Sequence, residues 1–179
     1  AAGIGCGSAD AAAALRLLPR LWDINPRHAR NVAPQLGGDV PVALLGQPAF
    51  MRGEGERVTP VRLPAPIPAI LFNPGIACPT GPVFAAFDAA GGGADFTECG
   101  PLPDFADLGG LVGWLAGQRN DLEAPALALH PALKSPERTL NGPKSPLMTR
   151  MSGSGATFVC LYATLDAARE CAEFLTAQQ

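Results

Sequence analysis

Gly3-Ile4-Gly5-Cys6-Gly7-Ser8-Ala9-Asp10 runs straight into Ala11-Ala12-Ala13-Ala14-Leu15. Three glycines at alternate positions let a backbone approach a phosphate closely. The stretch then feeds a helix start, whose unpaired N–H groups attract anions. Two familiar phosphate fingerprints do not fit. A P-loop needs Gly-Lys-Ser/Thr, and no lysine is present here. A dinucleotide fingerprint needs G-x-G-x-x-G, followed by an acidic residue after a strand. Here the glycines stand at 3, 5 and 7, and Asp23 follows a helix-periodic segment. The same glycines also suit a helix entry with no ligand at all.

Outward from that loop, Ala11, Ala14, Leu15, Leu18, Leu21 and Trp22 recur with helical period and predict one apolar helix face. Ser8 suits the N-cap, and Asp10 the first turn. Pro19 predicts a kink or an early end. Asn25 and Pro26 open a second helix that stops near Leu36 at Gly37-Gly38, with Pro34 in its last turn. Val42 to Leu45 reads as a short strand. Phe50 to Val58 reads as a strand or bulged hairpin around Gly53-Glu54-Gly55. Pro60, Pro64, Pro66 and Pro68 mark a linker between two lobes.

Beyond the linker, Ala69 to Phe72 is strand-like and ends at the turn Asn73-Pro74-Gly75. Thr80 caps a helix to Ala89, and Gly91-Gly92-Gly93 is a loop. Asn120 caps a helix from Asp121 to about Leu129, with Glu123 completing a capping box. Residues 131 to 147 read as a loop. Ala156 to Ala163 is a strand, and Asp166 opens a last helix with Ala167, Cys171 and Phe174 on one face.

Composition narrows the function classes. The 179 residues are 47% hydrophobic and 16% charged, so a buried core is expected and wholesale disorder is not. With 13 basic and 16 acidic residues there is no basic surface for nucleic acid, and 6% aromatics give no stacking platform. Every apolar stretch is interrupted well short of the ~18 residues of a membrane span. Cys6, Cys78, Cys99, Cys160 and Cys171 form no CxxC pair, and neither histidine lies near one. Reduced thiols in a cytoplasm fit best.

Two further motifs carry chemistry. In Gly37-Gly38-Asp39-Val40-Pro41 a carboxylate sits on a tight turn. It is a solvated turn residue or, in the sharper reading, a base for a hydroxyl nucleophile. In Arg150-Met151-Ser152-Gly153-Ser154-Gly155-Ala156, successive N–H groups suit a second anion nest, or simply a turn between strands.

The order of the three motifs is more specific than any one of them. It resembles the GHMP kinases, and within them the branch that acts on a cytidine diphosphate-linked methylerythritol. Met51-Arg52-Gly53-Glu54-Gly55-Glu56, Asn73-Pro74-Gly75 and Asn120-Asp121-Leu122-Glu123 support the narrower resemblance. It runs from residue 1 to about 177, thinly over 89 to 119 and 131 to 147.

The resemblance implies an α+β fold of two lobes. Residues 1–62 would be the remainder of an N-terminal ATP-binding α/β lobe, and 69–179 a ferredoxin-like C-terminal lobe. It implies ATP and Mg2+ as cofactors and a small-molecule substrate, with neither nucleic acid nor membrane as partner. Ala1, Ala2, Gly3, Ile4, Gly5, Cys6, Gly7, Ser8 and Ala9 would cradle ATP, with Ser8 near the metal. Asp39 would take the proton from the C2 hydroxyl of the erythritol unit in isoprenoid (terpenoid) biosynthesis. Ser152, Gly153, Ser154 and Gly155 would shape the phosphate and substrate region. Such a protein mainly positions groups and neutralises charge.

Departures from the family pattern leave alternatives open. Members carry a long stretch before the glycine loop, with strands and a catalytic lysine. Lys134 and Lys144, the chain's only lysines, lie in the weakly matching loop. A fragment of low stability with unpaired sheet edges is therefore expected. Cys6 stands where the family usually has glycine. An inactive remnant, or a kinase for another alcohol such as homoserine or mevalonate, remains the alternative.

Overall fold

The computed structural model describes residues 4–64, 66–92, 100, 102–134 and 145–177. These residues mix helices with small antiparallel sheets, the expected α+β class. They separate into two compact units. A glycine-loop unit is built mainly of Gly5–Leu63, and a sheet unit mainly of Pro64–Glu98 and Phe105–Gln179.

The glycine-loop unit holds α1 (Cys6–Leu21), α2 (Arg27–Leu36), α3 (Val40–Leu45) and a hairpin of β1 (Ala49–Arg52) and β2 (Arg57–Pro60). Its buried apolar side chains, among the described residues, include Ala12, Pro19, Ala29, Ala33 and Val40. Such small residues let α1, α2 and α3 pack backbone to backbone. The buried stripe of α1 runs through Ala12 and Pro19, whereas Ala14, Leu21 and Trp22 are exposed. Pro19 does not end the helix early. It falls in the last turn, where little of the helix remains to depend on the ladder it interrupts. Pro34 likewise lies inside α2. Pro26, not Asn25, is the N-cap of α2 and the helix starts at Arg27; Asn25 stands one residue earlier, its Oδ1 accepting from the Arg27 amide at 2.9 Å.

Val42 to Leu45 is helix, not strand. The Gly37-Gly38-Asp39 turn starts it, and Pro41 near its N-terminus is already set for helical φ. Gly46, at φ 69°, stops it, donating its amide to Val42 O at 3.0 Å. The hairpin falls where expected, with Met51 opposite Val58.

The sheet unit is organised on an antiparallel sheet in the order β3 (Ala69–Phe72), β5 (Phe158–Leu161), β4 (Met148–Met151). In register, Phe158 faces Phe72 on one side and Met151 on the other. Around it lie α4 (Thr80–Ala89), α5 (Leu108–Ala116), α6 (Glu123–Leu129), a 3-10 turn at Pro131–Lys134 and α7 (Leu165–Thr176). Val83, Ala126, Leu133, Met151, Phe158, Tyr162 and Cys171 share one core. The β5 strand is shorter than the Ala156–Ala163 run suggested, because Ala156 and Thr157 close the preceding loop.

The glycine-rich α5 was not anticipated; Asp107 caps it through Gly110 N at 2.8 Å. Helix α7 is capped by Thr164, whose Oγ1 accepts from Ala167 N. Its buried face is Ala167, Ala168 and Cys171, while Phe174 is exposed. Gly93, Cys99 and Lys144 lie outside the described residues. No helix among the described residues is long and apolar enough to cross a membrane.

Candidate functional site

Helix α1 begins earlier than its sequence suggested. Gly5, not Ser8, is the N-cap, at φ 67° in the left-handed region that glycine tolerates. Cys6 is the first helical residue and exposed; Ser8 lies within the first turn. Gly5 has no side chain with which to cap the start, and no acidic residue lies in the first turn, because Asp10 falls beyond it. Nothing stands within 4 Å of where a Gly7 side chain would begin. An uncapped N-terminus over an open glycine fits a phosphate. Ile4 and Ala9 flank this start; Ala1, Ala2 and Gly3 lie outside the described residues.

Asp39 sits at the start of α3 with its side chain exposed. A Cβ placed on Gly5 would stand 4.0 Å from Asp39 Oδ2. The carboxylate and Gly5 are therefore neighbours within one unit. The turn bearing Asp39 is held by the hairpin tip. A Cβ on Gly38 would overlap the Glu54 carbonyl, and one on Gly55 (φ 103°) would overlap Gly38 O. Only glycine fits at either place. The Met51-to-Glu56 motif thus serves to hold the Gly38-Asp39 turn. Within the tip, Glu56 Oε2 accepts from Glu54 N at 2.7 Å.

In the sheet unit, the 152–155 loop is secured by the side chains of Asn120, Thr80 and Cys78. Asn120 Nδ2 donates to Met151 O at 3.0 Å and Gly153 O at 2.8 Å, and its Oδ1 accepts from Leu122 N at 3.1 Å. Helix α6 starts at Glu123 with Leu122 as its N-cap, two residues later than the expected start at Asp121. Thr80 does not cap α4; its Oγ1 pairs with Ser154 Oγ at 2.9 Å. Cys78 Sγ lies 3.1 Å from Ser154 O, and Asn73 Nδ2 donates to Thr157 Oγ1 at 2.9 Å.

The loop is a less open nest than expected. Ser152 N is bonded to Thr157 O and Gly155 N to Ser152 O, and Ser154 is buried. Gly155, at φ 91°, has Met151 Sδ 3.0 Å from where its Cβ would be, so a side chain would strain the turn. Gly153 is the exposed member, with open space beside it.

Among the described residues, no three His, Cys, Asp or Glu side chains gather as a metal site. Cys6, Cys78, Cys160 and Cys171 are free thiols. Burial pushes the Cys78 and Cys160 thiols up, and burial with a hydrogen bond to Cys171 does the same for the Tyr162 phenol. These groups stay neutral near pH 7 and belong to the core. The residue that sequence reasoning missed is Arg16, which reaches α3 from α1. A contact 27 positions away leaves no periodic signal.

No protein-family model matches the chain. Curated relatives do. A 4-diphosphocytidyl-2-C-methyl-D-erythritol kinase of Hyphomonas neptunium is 57% identical over 90% of this chain and 54% of its own length. One from Cereibacter sphaeroides is 45% identical over 99% of this chain and 63% of its own. A crystal structure of 4-(cytidine 5'-diphospho)-2C-methyl-D-erythritol kinase matches with a TM-score of 0.71 at 35% identity, over 98% of this chain and 63% of that one. The chain thus spans between half and two thirds of the length of these proteins. By sequence and by fold, it belongs to the 4-diphosphocytidyl-2-C-methyl-D-erythritol kinase family.

Proposed function

We propose that this chain supplies the catalytic aspartate and phosphate loop of an ATP-dependent kinase. The substrate is 4-diphosphocytidyl-2-C-methyl-D-erythritol, and the group phosphorylated is its C2 hydroxyl. The observation that carries the reading is the closeness of Asp39 Oδ2 to the Gly5 backbone at the uncapped start of α1. An amide-rich helix start and a carboxylate side by side are what hydroxyl phosphorylation asks of a protein.

In this reading the amides at the start of α1 hold the phosphate chain, and Gly7 leaves room for it. Asp39 accepts the hydroxyl proton as the oxygen bonds to the γ-phosphorus and the bond to the β-phosphate oxygen breaks. Mg2+, when bound, would neutralise charge on the phosphates, and Ser8 would be the residue of this loop that could help hold it. Gly153 offers the open edge of the second loop, while Ser154 holds that loop's shape through Thr80. The glycine-loop unit corresponds to the remainder of the ATP-binding lobe, and the sheet unit to the ferredoxin-like lobe.

The test is phosphorylation of 4-diphosphocytidyl-methylerythritol with ATP and magnesium. The chain is assayed as given and extended with the N-terminal part of the Hyphomonas relative. Activity in the extended protein, lowered at least 100-fold by Asp39→Asn, is expected; general-base removal typically costs ~10²–10⁴-fold. A folded, extended protein that transfers no phosphate, or one in which Asp39→Asn leaves the rate unchanged, overturns the reading.

A further inference from the structure

Arg16 lies on α1, well beyond the glycine loop. Its Nη2 donates to Ala43 O, and also to Leu44 O at 3.1 Å. Both carbonyls belong to the last turn of α3, where helical carbonyls lack partners in their own helix. A cation there also complements the negative end of the helix dipole. Gly46, just past that end, leaves the room: a Cβ on it would stand 3.1 Å from Arg16 Nη2. At the other end of α3, the glycine turn is wedged against the hairpin tip by the Gly38–Gly55 approach. Helix α3 has six residues, so it is about 9 Å long and has little internal slack. Its first amide bonds close on the turn itself, Val40 N to Gly37 O at 3.1 Å and Ala43 N to Asp39 O at 3.0 Å.

We infer that Arg16 is a positioning residue for Asp39. It fastens the far end of α3 to the helix that carries the phosphate loop, and so fixes the carboxylate against that loop. The catalytic part of this inference rests on the function proposed above; the fastening of α3 does not. A displacement of about 1 Å in a reacting group is enough to slow a reaction greatly. Loss of Arg16 should therefore act on the chemical step, since Arg16 holds α3 by its far end and not by the loop amides or Asp39.

Two measurements test it. The first needs no activity. Amide hydrogen exchange on the chain as given, comparing Arg16→Gln and Arg16→Lys with the parent, should show Ala43 and Gly46 losing protection at least fivefold in Arg16→Gln. Lys should restore part of it, and the β3–β5–β4 amides should not change. Unchanged exchange at α3 overturns the inference whatever the enzyme does. The second uses the extended protein, provided Asp39→Asn has inactivated it. Arg16→Gln should lower kcat about tenfold with KM for ATP within about twofold, the signature of an interaction felt in the transition state. An unchanged kcat, or a loss confined to KM, overturns the positioning role. An extended protein with no activity at all counts against the proposed function alone, and the exchange result still decides whether Arg16 holds α3.

Discussion

The two units bury different kinds of residue. The sheet unit encloses Tyr162, Leu133, Met151, Phe158 and Val83, large side chains around one central strand. The glycine-loop unit encloses Ala12, Ala29, Ala33 and Val40 and leaves Leu17, Leu21, Trp22, Val32 and Leu36 exposed. It makes its close contacts with backbone instead: Gly38 against Gly55, and Arg16 against carbonyls. Apolar burial is worth roughly 25 cal/mol per Å², so the sheet unit holds most of the hydrophobic stabilisation. The other unit gains precision at the Asp39 turn and holds less stability in reserve. Sites that must bring a backbone close to a ligand need that trade, because a side chain there would fill the space the ligand takes.

The largest expected break in this comparison is Phe158→Ala. Phe158 is 3% exposed in the central strand and faces two strands at once. Removing it should cost about 3–5 kcal/mol. Each unit contains one tryptophan, Trp22 or Trp114, so single-tryptophan variants report the units separately in denaturant. The Trp114 transition should move to much lower denaturant and the Trp22 transition far less. Equal movement of both would mean that the units unfold as one body. The complementary change is Ala33→Leu, at a site 1% exposed. Here enlargement, not truncation, does the damage, since the closely packed helices must part; overpacking costs about 1–3 kcal/mol. The Trp22 transition should move and the Trp114 transition stay. A neutral Ala33→Leu would show that α2 packs loosely and that close backbone packing is not what holds this unit.

The same contrast explains what could be read from the sequence. Elements that set large residues against the core in strand register were readable: Ala69 to Phe72, whose Ile70 and Phe72 are half-buried there, and the strand containing buried Phe158. So were motifs whose glycines have a geometric job, such as the Gly53–Gly55 tip. Errors gathered where small residues pack by shape. Val40 to Leu45 is an apolar run with two valines, and a run that short is read as strand or helix equally well. Helix α5 was hidden by Gly109, Gly110 and Gly113, although Asp107 ahead of Leu108, Leu111 and Leu115 was a usable signal. At the site, the sequence singled out Asp39 and Gly5 but not Arg16 or the Gly38–Gly55 approach, which join segments far apart in the chain. It also treated Asn120 and Thr80 as local caps, whereas both reach across to the 152–155 loop.

The smallest expected effect sharpens the comparison through pH. Glu56 lies on the hairpin tip that supports the Asp39 turn, open to solvent. Its carboxyl is held below its ordinary 4.5 by its own amide and that of Glu54, with a lesser contribution from Arg57 at 3.4 Å. The folded tip therefore prefers the ionised form. Its support is complete above about pH 4.5 and is lost as pH falls through the lower folded value. The sheet unit's shifted groups, Cys78, Cys160 and Tyr162, move the other way and stay neutral throughout that range. Below about pH 4.5 the tip should loosen while the sheet does not. The Glu54 amide resonance followed from about pH 7 to about pH 2 should titrate with a midpoint under 4.5, and Glu56→Gln should abolish that titration. Gly38 and Asp39 amides should follow with smaller amplitude, because Gly38 touches Glu54 O and Gly55 directly. A midpoint at 4.5 or above would mean that the Glu56 carboxylate does not close the tip, and that the Gly38–Gly55 contact holds the Asp39 turn without it.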